Sequence, residues 1–558
     1  MTAAWAGIVL LAGGVMLDVG GFHASARDPL RPLIVAIALV AAGRAVLGAS
    51  AFTAVLASLA GARGHRSSRV AALAAICVLV VAIAWNTRAS GGSDSACYLL
   101  QADAFAAGRA ALPDPLSTRP PDATPAVFAP TGFVAAPEPP FAAVPICAPG
   151  LALAMTPALL IHRSAPFLIV PACAALMVWC TFLLGRRLDD DVTGAGAAVL
   201  LACSPIFLYQ AVQPMSDVPA AALWLAALVA LAGGAEIVAG LCASAAVVMR
   251  PNIALLVLPL LVLLPGWRAW LRFGLAAAPA LLLMAALNAQ RYGSPLASGY
   301  GSTDVLFSLS HVGPNLGRYP RWLVETHTPF MALALLAPRW MARGRTRARV
   351  TLAGGAAVVL TVATYLAYTV FNDWWYIRFL LPAIPVMLVL AMSVALRAAP
   401  RAYRAAGAAI LCVVIGGWCL SVARTRQVFD LQRLESRFVI AGRYAARALP
   451  PDAVVLAVQQ SGSIRYHGGR ATLAWDAIAP DALDRTIAWL AANGRVPYIV
   501  LEDAEEPRFR ARFASQAAGA LDWPAAAEIS APVKVRVYNP AARAGFLRGA
   551  RVETAHVR

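Results

Sequence analysis

Residues 192–234 read VTGAGAAVLLACSPIFLYQAVQPMSDVPAAALWLAALVALAGG. Two apolar runs, 192–211 and 217–234, meet at a short turn that carries Asp217. A helix needs about 20 apolar residues to cross a bilayer core. The two runs therefore read as consecutive membrane spans with an acid at their shared end. The same pattern recurs at 3–20, 31–58, 70–87, 165–186, 236–250, 252–266, 270–289, 326–341, 349–371, 377–397 and 405–424, which makes thirteen candidates. Runs 236–250 and 252–266 are short and meet at Arg250-Pro251-Asn252, so they also read as one kinked hairpin. The shorter stretch 150–162 reads as a helix lying at the interface.

Composition agrees with a polytopic α-helical membrane protein of about thirteen transmembrane helices. Of 558 residues, 60% are hydrophobic and 13% charged, and mean hydropathy is +0.69. Soluble domains carry about 45–50% apolar and about 25% charged residues. A disordered chain, a coiled coil and a purely soluble enzyme are excluded. The net charge of +18 rests on arginine, since Lys534 is the single lysine. In a membrane protein such charge sorts by side rather than marking nucleic acid as a partner. With the N-terminus inside, inner loops hold fifteen of the arginines and short outer loops seven. That asymmetry favours N-in, and an odd span count puts the C-terminus outside. Segments 88–164, 290–325 and everything past 425 then share the outer face.

Two domains are expected: a membrane domain, 1–425, with the Pro-rich outer loop 88–164, and an extracytoplasmic α/β domain, 426–558. In the latter, Ala453–Val458, Pro497–Leu501 and Val533–Tyr538 read as strands and Pro480–Asn493 as a helix. Its Gln459, Gln460, Ser461 and Gly462 follow a strand. They read either as a loop site for an acceptor or as part of a rigid lid. Cys97 and Cys147 both fall in the outer loop. They pair if that side is oxidising, and otherwise remain two thiols. No CxxC, HExxH, G-x-G-x-x-G or Walker pattern is present.

Four ionisable residues share the outer side: Asp94, Asp217, Arg250 and Arg378. A carboxylate takes a proton from an acceptor, and guanidiniums fork onto phosphate oxygens. Each also has a structural reading. Asp94 and Asp217 stand where helix N-caps stand. Arg250 can snorkel to headgroups. Arg378 sits beside Trp374, Trp375 and Tyr376, an interfacial belt or a sugar-stacking platform.

Five stretches resemble the GT-C superfamily of membrane glycosyltransferases, near the bacterial protein O-mannosyltransferases, aminoarabinose transferases and Rgt-type transferases. They are Ser93-Asp94 through Gly108, with Tyr98; Cys147-Ala148-Pro149-Gly150; Met215 to Pro219; Met249-Arg250-Pro251-Asn252; and Trp374 to Pro382. Tyr292 to Leu296 with Gly299-Tyr300-Gly301 is a weaker sixth. The resemblance implies a bacterial cytoplasmic-membrane enzyme that moves a sugar from a polyprenyl-phosphate donor, with inversion, to a lipid, glycan or protein acceptor on the outer face. It implies Asp94 as catalytic base, and Asp217, Arg250, Arg378, Tyr98 and Trp375 as substrate-binding residues. Membrane lipids are further partners, and nucleic acid is not. No cofactor is required, and a divalent metal is left open, with Asp94 and Asp217 as its ligands. One departure is that Asp94 is followed by Ser95, where many relatives place two adjacent acids. The first two spans are also additional. Two other classes remain as alternatives. A transporter or flippase would need ionisable groups at mid-depth and inverted halves, yet Arg44 is the clearest mid-span charge. The other is a non-catalytic scaffold of envelope assembly.

Overall fold

The computed structural model describes residues 66–558, apart from 117, 121–122, 137–140, 302, 339–344 and 558, together with the backbone of two short strands nearer the N-terminus. Those strands, β1 (Val15–Val19) and β2 (Phe22–Ala26), pair antiparallel, with Val19 opposite Phe22. A helix was expected through Val15–Val19. Gly20-Gly21 between the strands is instead a two-residue hairpin signal. The rest of 3–20 and all of 31–58 lie outside the described residues.

The membrane part is helical. Its helices are α1 (Arg66–Ala84), α2 (Gly92–Ala106), α3 (Gly150–Ile161), α4 (Ile169–Leu188), α5 (Asp191–Cys203), α6 (Pro205–Ala211), α7 (Asp217–Ala232), α8 (Glu236–Met249), α9 (Trp267–Tyr292), α10 (Val312–His327), α11 (Arg345–Leu366), α12 (Ile384–Arg397) and α13 (Arg404–Thr425). Among the described residues, five are long and apolar enough to cross a membrane: α1, α4, α9, α11 and α13. The number is seven if each of two bent pairs is one span. Eleven of the thirteen expected spans fall on described residues, and length alone does not support them all. Span 192–211 bends by 64° between α5 and α6. Pro205 there has no N–H to continue the ladder, and the Ser204 hydroxyl caps α6 at the Phe207 N–H. Span 377–397 bends by 82° between a 3₁₀ turn, Trp374–Leu380, and α12. Spans 236–250 and 252–266 become α8 and a proline-containing 3₁₀ run. At about 1.5 Å per residue the 16-residue α7 spans only about 24 Å, short of a core of about 30 Å. Its apolar residues face all round and are nearly all buried, as in a helix enclosed by others.

The arginine-rich loops gather at one end of the bundle. The Asp189 side chain, 7% exposed, accepts from the Ser393 hydroxyl at 2.6 Å and pairs with Arg397 at 3.1 Å. Asp190 caps α5 at the Thr193 N–H and pairs with Arg404 at 3.1 Å. At the other end, strands β3 (Leu112–Pro113), β4 (Phe133–Ala135) and β5 (Phe141–Pro145) of the 88–164 segment form a small antiparallel sheet in the order β3-β5-β4. A disulfide joins Cys97 of α2 to Cys147, with Cα atoms 6.2 Å apart.

The C-terminal region packs on this second end. Its elements are α14 (Ser436–Ala448), β6 (Ala453–Leu456), α15 (Ser461–Tyr466), β7 (Ala471–Leu473), α16 (Leu483–Ala492), β8 (Val496–Glu502), β9 (Ala527–Ile529), β10 (Val535–Tyr538) and β11 (Ala555–Val557). The sheet order is β11-β9-β10-β8-β6-β7, with β6 parallel to both β7 and β8. Alternate residues of β6 enter two separate cores: Val454 and Leu456 with α16, Ala453 and Val455 with α14. The joint to the membrane part is both apolar and polar: Val127 and Phe128 share a core with Leu473 and Trp475. The Arg163 guanidinium lies 3.9 Å over the Tyr466 ring, donates to the Tyr466 carbonyl and pairs bidentately with Asp103.

Two stability predictions arise here. The disulfide closes a 50-residue separation, for which chain entropy gives about 4 kcal/mol. Cys97→Ser/Cys147→Ser should lower the thermal midpoint, with an effect bounded by that figure, as read by unfolding in detergent. At the joint, burial and the nearby Arg163 and Arg443 hold His467 down to about 4. The unfolded chain binds this proton near its ordinary value of about 6.5. Stability is therefore present above that value and is lost as pH falls from about 6.5 toward about 4. His467→Gln should flatten midpoint against pH in that window.

Candidate active site

Helix α2 begins at two glycines. Gly91 is its extended N-cap, and Gly92 has φ +63°, a left-handed conformation suited to glycine. Asp94 is therefore not the N-cap. It lies in the first turn, where the helix dipole favours an acid, and its Oδ2 accepts from Arg378 Nη2 at 3.2 Å. Asp217 is not a cap either. Ser216 precedes α7, and the Asp217 carboxylate is almost fully buried and paired with Arg250. Arg378 Nη1 stands 4.0 Å from the other oxygen of Asp217. Arg250, at the C-terminal end of α8, thus turns inward to a carboxylate rather than out to headgroups. Asp94, Arg378, Asp217 and Arg250 form one continuous set of alternating charge.

These four side chains line one cavity of about 410 Å³. Tyr98 joins them, its hydroxyl 2.7 Å from that of Ser216. Burial raises the Tyr98 hydroxyl well above its ordinary value, with the Asp94 charge adding to the effect. The phenol is thus a neutral hydrogen-bonding group. Trp375 is not in the lining. It stacks on Tyr209 with ring centroids 6.2 Å apart, because the Trp374–Leu380 segment is a 3₁₀ turn and directs Tyr376, Arg378 and Phe379 inward instead. Arg378 sits 5.5 Å from the Tyr376 ring and 5.2 Å from the Phe379 ring, within cation–π range. The Arg378 Nε is buried without a hydrogen-bond partner among the described residues.

Of the other lining residues, Asn252 and Tyr300 stand in stretches that carry the GT-C resemblance, whereas Tyr368 and Phe371 were not singled out in the sequence. Tyr368 and Phe371 fall at the end of a run taken for a span, 349–371, but lie past the end of α11 in a non-helical stretch. Asn252 bonds the Tyr365 hydroxyl. Tyr300 reaches the cavity from a loop that Gly299 presses onto Ile146, where a Cβ would stand 2.5 Å from the Ile146 Cα. The Gln460, Ser461 and Gly462 loop is buried against the outer loop, where Ser461 accepts from the Thr131 N–H at 3.0 Å. It does not line the cavity.

No family model and no curated protein matches the sequence. Solved structures do match. ArnT from Cupriavidus metallidurans, an aminoarabinose transferase, superposes in its apo state with a TM-score of 0.52 at 13% identity, over 83% of this chain and 97% of that one. The fold is that of the GT-C glycosyltransferases. The same ArnT bound to undecaprenyl phosphate gives 0.50 with the same identity and coverage. The apo oligosaccharyltransferase of Archaeoglobus fulgidus gives 0.48 at 13% identity, over 81% of this chain and 71% of that one. At such identity the likeness carries the GT-C architecture, and the chemistry has to come from the residues of this chain.

Among the described residues, the cavity lining holds two carboxylates and two guanidiniums and no other charged side chain. Asp217 keeps Arg250 neutralised where neither side chain is well hydrated. Removing one partner of such a pair costs about 3–5 kcal/mol, because the other charge stays buried. Asp217→Ala should therefore depress the thermal midpoint strongly. Asp217→Asn/Arg250→Met should lose less than the sum of its single variants, as a double-mutant cycle in detergent would measure.

Proposed function

We propose that this chain is a glycosyltransferase of the outer face of a bacterial cytoplasmic membrane. It moves a sugar from a polyprenyl-phosphate donor to an acceptor hydroxyl or amine on a lipid, glycan or protein, with inversion. The observation that carries the reading is the single cavity shared by Asp94, Arg378, Asp217 and Arg250. The topology that goes with it has thirteen spans, the N-terminus inside, and a C-terminal extracytoplasmic domain from residue 426.

A sugar phosphodiester carries one negative charge, and the leaving polyprenyl phosphate gains a second. The lining itself sums to zero, two negative and two positive. The donor phosphate takes Arg378 from Asp94, using among others the unpartnered Nε. That exchange leaves Asp94 free to act. Its carboxylate then accepts the acceptor proton as the acceptor atom bonds to the anomeric carbon. The bond from that carbon to the phosphate oxygen breaks, and its electron pair leaves with the phosphate. Arg378 and Arg250 stabilise the added charge, an electrostatic role that grows toward the transition state. Tyr376, Tyr368 and Phe371 offer ring faces to a sugar or to the first isoprene units. ArnT, whose fold is similar, has been solved with undecaprenyl phosphate bound, which supports the donor class.

Asp94→Asn keeps the shape of the site and removes the base. Transfer from polyprenyl-phosphate sugars should fall by about 10²–10⁴-fold, while undecaprenyl phosphate still binds. Radiolabelled-sugar transfer with purified protein reads this out. Equal transfer by Asp94→Asn and the native chain would remove Asp94 from its role. No transfer from any polyprenyl-phosphate sugar by the native chain would favour the scaffold reading.

A further inference from the structure

Helix α2 lies in the outer loop, and its first turn, which carries Asp94, is held by the C-terminal region. The Phe438 ring of α14 lies directly on Gly91, where a Cβ would overlap it. Gly462 of α15 is pressed against Ala96, so that a Cβ there would overlap the Ala96 methyl and stand 3.2 Å from the Ser90 carbonyl. On another side Gly132 packs under Ser93, with a Cβ position that would overlap the Ser93 carbonyl. Gly132 is itself tied to the C-terminal region through its neighbour. The Thr131 hydroxyl donates to the Val458 carbonyl at 2.7 Å, and the Thr131 N–H donates to Ser461. Three glycines thus let three pieces of chain close on one helical turn. Their sequence positions, near 91, 132 and 462, are far apart.

The two C-terminal contacts are linked to each other. Arg437, next to Phe438, donates to Glu502 at 2.9 Å, and Gln460 donates to the same Glu502 oxygen at 2.7 Å. Glu502 and Gln460 are buried, so this link is sheltered from water. It fixes the spacing between the Phe438 and Gly462 contacts. The sheet gives the placement a reason. β7 and β8 flank β6 in parallel, so the winding reverses at the carboxyl end of β6. That is where open α/β sheets take their ligands. Here the loop leaving β6, residues 457–460, and the start of α15 take α2 and Thr131 instead.

We propose that the C-terminal region is the positioning element for Asp94, with Phe438 and Gly462 as its two contact residues. This rests on the base role given to Asp94 above. Neither residue lines the cavity, so their effect passes through the placement of the first turn of α2. A shift of about 1 Å at a reacting group is enough to cost on the order of 10²-fold in rate.

The test uses the full-length protein in lipid nanodiscs. Gly462→Ala should reduce kcat at least tenfold, leave KM for the lipid-linked donor and the affinity for undecaprenyl phosphate within about twofold, and speed amide hydrogen exchange across residues 91–97. Ala96→Gly removes the methyl that the new side chain meets, so Gly462→Ala/Ala96→Gly should restore both kcat and slow exchange. Phe438→Ala should reproduce the loss and Phe438→Leu part of the activity, which covers the case in which Gly462→Ala does not fold. Native exchange at 91–97 and native kcat in both Gly462→Ala and Phe438→Ala would overturn the proposal. A matching loss of undecaprenyl phosphate affinity, or no rescue by Ala96→Gly, would also overturn it. Exchange needs no sugar, so it reports on the clamp even if Asp94→Asn shows the base assignment to be wrong. If Asp94→Asn is inactive while the Gly462 and Phe438 variants behave as native in both readouts, the positioning role alone fails.

Discussion

Arg378 stands between two carboxylates, 3.2 Å from Asp94 and 4.0 Å from Asp217, on the far side of which Arg250 completes the set. Much of the architecture serves this arrangement. An uncompensated guanidinium in an apolar bundle is costly, so each charge must arrive with its partner. The partners come from four separate parts of the chain: the outer-loop helix α2, the start of α7, the end of α8 and the 3₁₀ turn before α12. Registering all four at once leaves little freedom in how the helices stack. The short length of α7 and α8 follows from the same need, because their ends have to stop where the cavity begins.

The breaks in the helices have a related purpose. A straight helix through 374–397 would carry Arg378 along its own axis, with successive side chains spread around the cylinder. The 82° bend instead lays the Trp374–Leu380 turn across the end of the bundle, where Tyr376, Arg378 and Phe379 all reach the cavity. Pro382 and Pro385 supply the break. Backbone groups released at such a break need other partners, and a polar cavity end is a tolerable place for them.

Much of this was legible in one dimension. Length and hydropathy locate the apolar runs, because burying apolar surface is a local, additive demand, but five to seven of the described helices are long enough to cross. Asp94, Asp217, Arg250 and Arg378 could be singled out because ionisable groups at span ends are few. The strand positions near 453, 497 and 535 followed from β-branched runs. What stayed hidden depends on contacts between distant residues or on backbone type. Trp375 and Tyr376 look alike in sequence, and only the 3₁₀ geometry decides which one faces the cavity. Gly91, Gly132 and Gly462 look like ordinary loop glycines until the chain is folded. The need for them arises from close approach by Phe438, Ser93 and Ala96. The loop at Gln460, which follows a strand, reads either as an acceptor site or as part of a rigid lid. The Gln460 side chain is fully buried, bonded to Glu502.

The charge balance also bears on how such a site can turn over. A cavity with two free guanidiniums would hold a polyprenyl phosphate product, with its extra negative charge, more tightly than the donor. In the proposed reaction Asp94 and Asp217 compete with the phosphate for the guanidinium hydrogens of Arg378. Asp217, almost fully buried, keeps its hold on Arg250 throughout. Asp94 is the more exposed of the two acids, at 26% against 2% for the side chains. In the proposed reaction it is therefore the one to let go of Arg378 when donor arrives and to return once product leaves. Donor binding and base release become one exchange at a single guanidinium. Under the proposed mechanism the helix that carries Asp94 permits a small swing of the side chain while its backbone stays fixed, a combination favoured by the close packing of Phe438 on Gly91 and of Gly462 on Ala96.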